Sequence, residues 1–131
     1  MQRRTLQSEG VLKVDKDCHV PARLEQEYIQ QAVAILSKHG LRVLRVEATR
    51  TYHGRHYYFH ITPSVDAGTA NDLQYLLGDD SKRVDFNQAR INSGLLEWNK
   101  LFETVGRQLR TIYRHPSCCS NAPKSRLKEV N

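Results

Sequence analysis

The sequence predicts an α+β domain: a small, mostly antiparallel sheet of ferredoxin-like or RNA-recognition-motif-like type, helices on one face, and a C-terminal amphipathic helix. Three observations predict it. Leu41 to Ile61 reads LRVLRVEATRTYHGRHYYFHI, two runs of period-two alternation around a Tyr52-His53-Gly54 turn, which is the signature of a β-hairpin. A strand-like run and a helical run precede it, so the chain begins strand, helix, strand, strand, and a helical crossover lets the first strand lie beside the later ones. Beyond the hairpin the apolar residues fall at helical spacing.

Each element has its own signal. Residues 1–9 are polar and read as loose. Val11 to Asp17, VLKVDKD, alternates with Leu12 and Val14 inward and Lys13, Asp15 and Asp17 outward. A helix follows from Pro21 or Ala22 to His39, with Pro21 in the first turn, Glu25 and Glu27 near its positive end and Gly40 as its stop. Its core stripe is Leu24, Tyr28, Ala32, Ile35 and Leu36, widened by Ile29 and Val33. In the hairpin, Leu44, Val46 and Ala48 point one way and Arg45 and Glu47 the other. Tyr57, Phe59 and Ile61 likewise alternate with His56, Tyr58 and His60.

Thr62 to Gly68 is a loop, and a helix from about Thr69 presents Leu73, Leu76 and Leu77. Gly78-Asp79-Asp80-Ser81 stops it and caps the next, Lys82 to about Asn92, which carries Val84, Phe86, Ala89 and Ile91. The last expected helix starts near Glu97 or Trp98, with Trp98, Leu101, Phe102, Val105, Leu109 and Ile112 on one side and a basic ridge of Lys100, Arg107, Arg110 and Arg114 on the other. Residues 1–114 then form one domain, and 115–131, rich in proline, serine and charge, a flexible basic tail.

The composition bounds the function. At 131 residues the chain has room for one modest core. No run reaches the roughly 18 apolar residues that span a bilayer, and the N-terminus lacks an apolar signal segment. Three cysteines, Cys18, Cys118 and Cys119, make no disulfide framework and a poor zinc set, which fits a reducing, cytoplasmic setting. Twenty Lys plus Arg against fourteen acids give a net charge of +6, which favours a polyanionic partner, nucleic acid above all. Neither G-x-x-x-x-G-K-[ST] nor G-x-G-x-x-G occurs.

The second face of the expected sheet gathers the ionisable residues Asp15, Asp17, Arg45, Glu47, His56, Tyr58 and His60. Two strand carboxylates two residues apart point the same way and could share a magnesium or manganese ion, with an Arg or His on the phosphates. Asp15 and Asp17 are therefore the metal candidates, and His56, Arg45 and Glu47 the catalytic ones. A solvated face of cross-strand charge pairs is the bland alternative. His56 and His60 share this face but lie about 13 Å apart along a strand, too far for one zinc. Arg55, Tyr58 and His60, with Lys82, Arg83, Arg90, Lys100, Arg107, Arg110 and Arg114, are the candidate nucleic-acid contacts. For Lys82, Arg83 and Arg90 the preferred reading is ion pairing with Asp79, Asp80 and Asp85 that holds helices together, and a phosphate path is the alternative.

VLKVDKD, followed by a helix, a strand and the strand start HGRHYYFH, resembles motifs one and two of archaeo-eukaryotic primase-polymerase catalytic cores over about residues 11–61. The resemblance implies an RNA-recognition-motif-like fold, with Asp15 and Asp17 as metal-binding acids and His56 as the nucleotide-phosphate contact. Lys16 stands between the acids where an apolar residue is usual, and the chain is shorter than a complete core, so the resemblance implies a minimal or degenerate relative. The block LLGDDSKRVDFNQARINSG with EWNKLFE resembles segments of small uncharacterised mobile-element proteins. The expected function is a small nucleic-acid-associated protein, in its sharper form a metal-dependent nucleotidyl or phosphoryl-transfer module. The alternative is a non-catalytic adaptor or inhibitor whose charged face meets another protein.

Overall fold

The structure, a computed structural model, describes residues 8–51, 54–101 and 109–116. In chain order it contains β1 (Gly10–Lys16), α1 (Ala22–Lys38), β2 (Arg42–Arg50), β3 (Arg55–Thr62), α2 (Ala67–Leu76), α3 (Ser81–Asn92) and β4 (Arg110–Arg114). The four strands form one sheet in the order β1-β3-β2-β4, every neighbouring pair antiparallel. β3 is thus inserted between β1 and β2, the split β-α-β unit expected of the first half of a ferredoxin-like sheet. β4 adds to the far side of β2, which leaves β1 as the opposite edge.

The alternation in the sequence is the alternation in the core. Leu12 and Val14 of β1, Val46 and Ala48 of β2, and Tyr57, Phe59 and Ile61 of β3 are buried with Ile29, Ala32 and Leu36 of α1. A register shift between Val43 and Arg45 turns Val43 inward in place of Leu44, which the unbroken alternation had placed in the core. α1 is also rotated slightly from the expected stripe, with Leu24 about half exposed. Gly40 (φ 78°) follows the helix end, where the left-handed backbone favours glycine.

The expected C-terminal helix is not what residues 110–114 form. They are strand β4, with Glu47 opposite Thr111 and Arg45 opposite Arg114. Thr111-Ile112-Tyr113 is a β-branched and aromatic run that suits a pleated surface, and the outer edge of β2 offers backbone groups to pair with. Ile112 and Tyr113 pack on the core beside α1. Arg110 and Arg114 are therefore strand residues and no part of a helical ridge. Arg107, Cys118, Cys119 and most of the expected tail lie outside the described residues. His115, expected in the tail, still donates its backbone N–H to Leu44 O at 2.8 Å.

The β1 edge is closed by side chains. Lys13 N donates to Gln74 Oε1 at 2.9 Å and Asp15 N to Asp79 Oδ1 at 2.9 Å, while Arg83 Nη1 donates to Lys13 O at 3.2 Å. Helices α2 and α3 and the turn between them thus meet the outward backbone groups of β1 as another strand would, which blunts an edge open to further pairing. Buried Asn71, Gln74, Asp79, Arg83 and Asn87 belong to this polar layer. Gln74 and Asn99 exchange amide hydrogen bonds of 3.1 and 2.8 Å. Among the described residues no helix is long and apolar enough to cross a membrane.

Candidate functional site

The strand register lays the candidate residues out in rows across the sheet face away from α1. Asp15, His56 and Thr49 form one row, Lys13, Tyr58, Glu47 and Thr111 the next, and Val11, His60, Arg45 and Arg114 the third. The expected sharing of a face by Asp15, His56, Tyr58, His60, Glu47 and Arg45 therefore agrees with the register. Asp17 lies past the end of β1 and is exposed, so the paired strand carboxylates reduce to one strand residue and one in the following connection.

This face is not uniformly open. His56 is 3% exposed and Tyr58 8%, so Tyr58 is no displayed stacking platform. His56 Nε2 lies 3.5 Å from Asp15 Oδ1. At the other end, His60 Nε2 meets Glu47 Oε1 at 2.7 Å, and Arg45 pairs with Glu9 at 3.2 Å. Two rows along a strand amount to about 13 Å, which separates Arg45 from the Asp15 and His56 pair. The proposed catalytic set is split: His56 sits with Asp15, whereas Arg45 and Glu47 are engaged with Glu9 and His60.

Arg55 also leaves the expected surface. It follows the alternation of Tyr57 and faces α1, 8% exposed, with Nη1 3.3 Å from Glu25 Oε2. Tyr57 donates to the same carboxylate at 2.7 Å. Burial and that donation both push the Tyr57 phenol above its ordinary pKa. This Arg55-Glu25-Tyr57 group ties the start of β3 to α1.

The basic residues gather elsewhere. A cleft of about 280 Å³ between α3 and the end of β1 is lined by Asp15, Asp80, Lys82, Arg83, Phe86, Arg90, Lys100 and Leu101. Four candidate nucleic-acid contacts thus line one cleft with the candidate metal residue Asp15. Burial holds the Asp15 carboxyl above its usual pKa, opposed by His56 and Arg83 and reinforced by Asp17 and Asp80. Arg83 forms the wall: it is buried, and its guanidinium reaches Asp79, Lys13 O, Asn99 Oδ1 and Lys100 O. Lys82 and Lys100 are exposed at the rim, and Arg90 contacts Asn87 Oδ1 at 3.2 Å.

No protein-family model, curated protein or solved structure matches the chain. Among the described residues no three His, Cys, Asp or Glu side chains are grouped to hold a metal ion. Asp15 and Asp17 could contribute to a magnesium site only with oxygens from a phosphate or water completing the shell, the way this ion is commonly held.

Sequence reading missed two parts of the site. Phe86, counted among the apolar residues of its helix, is 62% exposed in the cleft. Asn71, Gln74, Asn87 and Asn99 left no apolar periodicity to follow, though Asn71 and Gln74 stand at the i, i+3 spacing of one helix face.

Proposed function

We propose that the protein binds nucleic acid through phosphate contacts in the cleft between α3 and β1. The observation that carries this reading is the convergence of Lys82, Arg90 and Lys100 around one concave surface whose wall is the buried Arg83. A net charge of +6 supports it, because phosphate neutralisation releases counterions and gives salt-dependent affinity. Arg83 acts here through position and field, since its donors are engaged within the protein.

The test is fluorescence anisotropy with short labelled DNA and RNA strands over a salt series. With about three phosphates neutralised, the slope of log affinity against log salt is expected near −2 for a single strand. Lys82→Ala, Arg90→Ala and Lys100→Ala combined are expected to flatten that slope and weaken binding at least roughly tenfold at low salt. No binding at low salt, or a triple variant that binds like the parent, defeats the reading. Retained binding to an acidic protein surface with none to nucleic acid would favour the adaptor alternative.

The sharper form, metal-dependent phosphoryl or nucleotidyl transfer, is supported by one contact: Asp15 and His56, both positions of the primase-polymerase resemblance, lie 3.5 Å apart. Asp15 and Asp17 would hold magnesium or manganese, which supplies charge neutralisation at the phosphates. On this reading Asp15→Asn abolishes any enhancement of oligonucleotide binding by magnesium. If Asp15 holds no cation, the same substitution removes a negative charge from an anion-binding cleft, and metal-free binding tightens with any magnesium response intact. Calorimetric titration with the metal, with and without a strand, separates the two.

A further inference from the structure

Two exposed aromatic side chains stand over clefts on the α2-α3 side of the molecule, and the charges around them differ. Tyr75 is 58% exposed in a cleft lined by Asp72, Leu76, Ser81, Val84 and Asp85, where the ionisable neighbours are acids that repel phosphate. Phe86 is 62% exposed beside Lys82, Arg90 and Lys100. Lys82, Phe86 and Arg90 stand at i, i+4 and i+8 of α3, so they form one stripe with about 6 Å of rise between successive members. A cation, an aromatic ring and a cation in line on a concave surface match a nucleotide strand, whose bases stack on aromatics while its phosphates meet basic side chains.

We propose that the cleft takes a single strand, with one nucleobase stacked on Phe86 and the flanking phosphates on Lys82 and Arg90. This rests on the nucleic-acid reading above and narrows it from polyanions in general to unpaired bases. A paired base keeps its faces inside the duplex stack, so Phe86 has nothing to cover there. Asp15 and Asp80 line the same cleft and, in the absence of a divalent cation, repel phosphate, which keeps the backbone along the stripe of α3 rather than over the end of β1.

The experiment compares Phe86→Ala, Phe86→Trp and Tyr75→Ala on four probes: a base-bearing single strand, the same backbone with abasic sites, a duplex, and inorganic polyphosphate. Phe86→Ala is expected to lose roughly tenfold to a hundredfold on the base-bearing strand. It should bind the abasic strand and polyphosphate like the parent and keep the salt slope, since no phosphate contact is removed. Phe86→Trp should restore binding, and Tyr75→Ala should change nothing. Both aromatics are exposed, so circular dichroism is expected to report unchanged folding. Unchanged binding of Phe86→Ala to the base-bearing strand, or parental affinity as high for duplex as for single strand, overturns the stacking site while leaving salt-dependent polyanion binding in place. Failure of the parent to bind any of the four probes removes the nucleic-acid reading itself.

Discussion

Gly54→Ala is expected to abolish the native fold or to destabilise it by about 3 kcal/mol or more, beyond the usual cost of overpacking a well-filled site. A Cβ at this position would overlap the carbonyl oxygen of Lys16 and stand 2.6 Å from Cys18 N and 2.9 Å from Cys18 O. These are backbone atoms, so no rotamer change relieves the clash. The end of β1 would have to move off the start of β3, where Lys16 pairs with Arg55 and Asp15 with His56. Gly54 also closes the hairpin, accepting from Thr51 N and donating to Thr51 Oγ1, both at 2.9 Å. Typical domains are stable by only about 5–15 kcal/mol, so the loss is large against the total. Urea unfolding followed by circular dichroism checks it. A midpoint indistinguishable from the parent would mean that β1 and β3 do not approach as closely as described. The substitution would also separate Asp15 from His56, so the glycine of HGRHYYFH serves the site by allowing that approach.

Arg83→Ala is expected to cost about 3–5 kcal/mol, the range for removing one partner of a buried ion pair. The Asp79 side chain is fully buried and paired with Arg83, four residues on. Burial raises the Asp79 pKa, and the guanidinium is the main influence opposing it. Truncation leaves that carboxylate without its counter-charge and strips donors from Lys13 O, Asn99 Oδ1 and Lys100 O. Arg83→Lys keeps the charge but not the planar fork, and should fall between parent and alanine. A double-mutant cycle isolates the pair: in an Asp79→Asn background the cost of Arg83→Ala should drop sharply, because the stranded charge is gone. Equal costs in both backgrounds, or a loss below about 1 kcal/mol, would show that the pair does not hold the β1 edge.

How much of this was legible follows from what each residue does. β1, α1, β2 and β3 were readable to within a residue or two because their apolar positions repeat at two or 3.6 residues, a direct consequence of backbone geometry. Val43 and Leu44 exchanged places because a bulge inserts a residue without any change in composition. β4 was read as the end of a helix because Trp98, Leu101, Leu109 and Ile112 fit a helical period. Thr111-Ile112-Tyr113 instead meets the edge of β2, and tertiary pairing overrides a pattern that short.

The site divides in the same way. That Asp15, His56, Tyr58, His60, Glu47 and Arg45 occupy one sheet face follows from side-chain alternation alone, and the net charge of +6 follows from composition. The sequence by itself thus determined the faces and the balance of charge. Tertiary structure alone decided which residues on those faces work together. Asp79 reaches the backbone of Asp15 across 64 residues of sequence, and that contact brings α3 to the edge of β1. It turns Arg83 into a wall and leaves Lys82, Phe86, Arg90 and Lys100 around a cleft. The physical reason is that the docking runs through polar side chains answering unpaired backbone groups of an edge strand. Such pairing is set by where donors and acceptors meet in space and leaves no period along the chain.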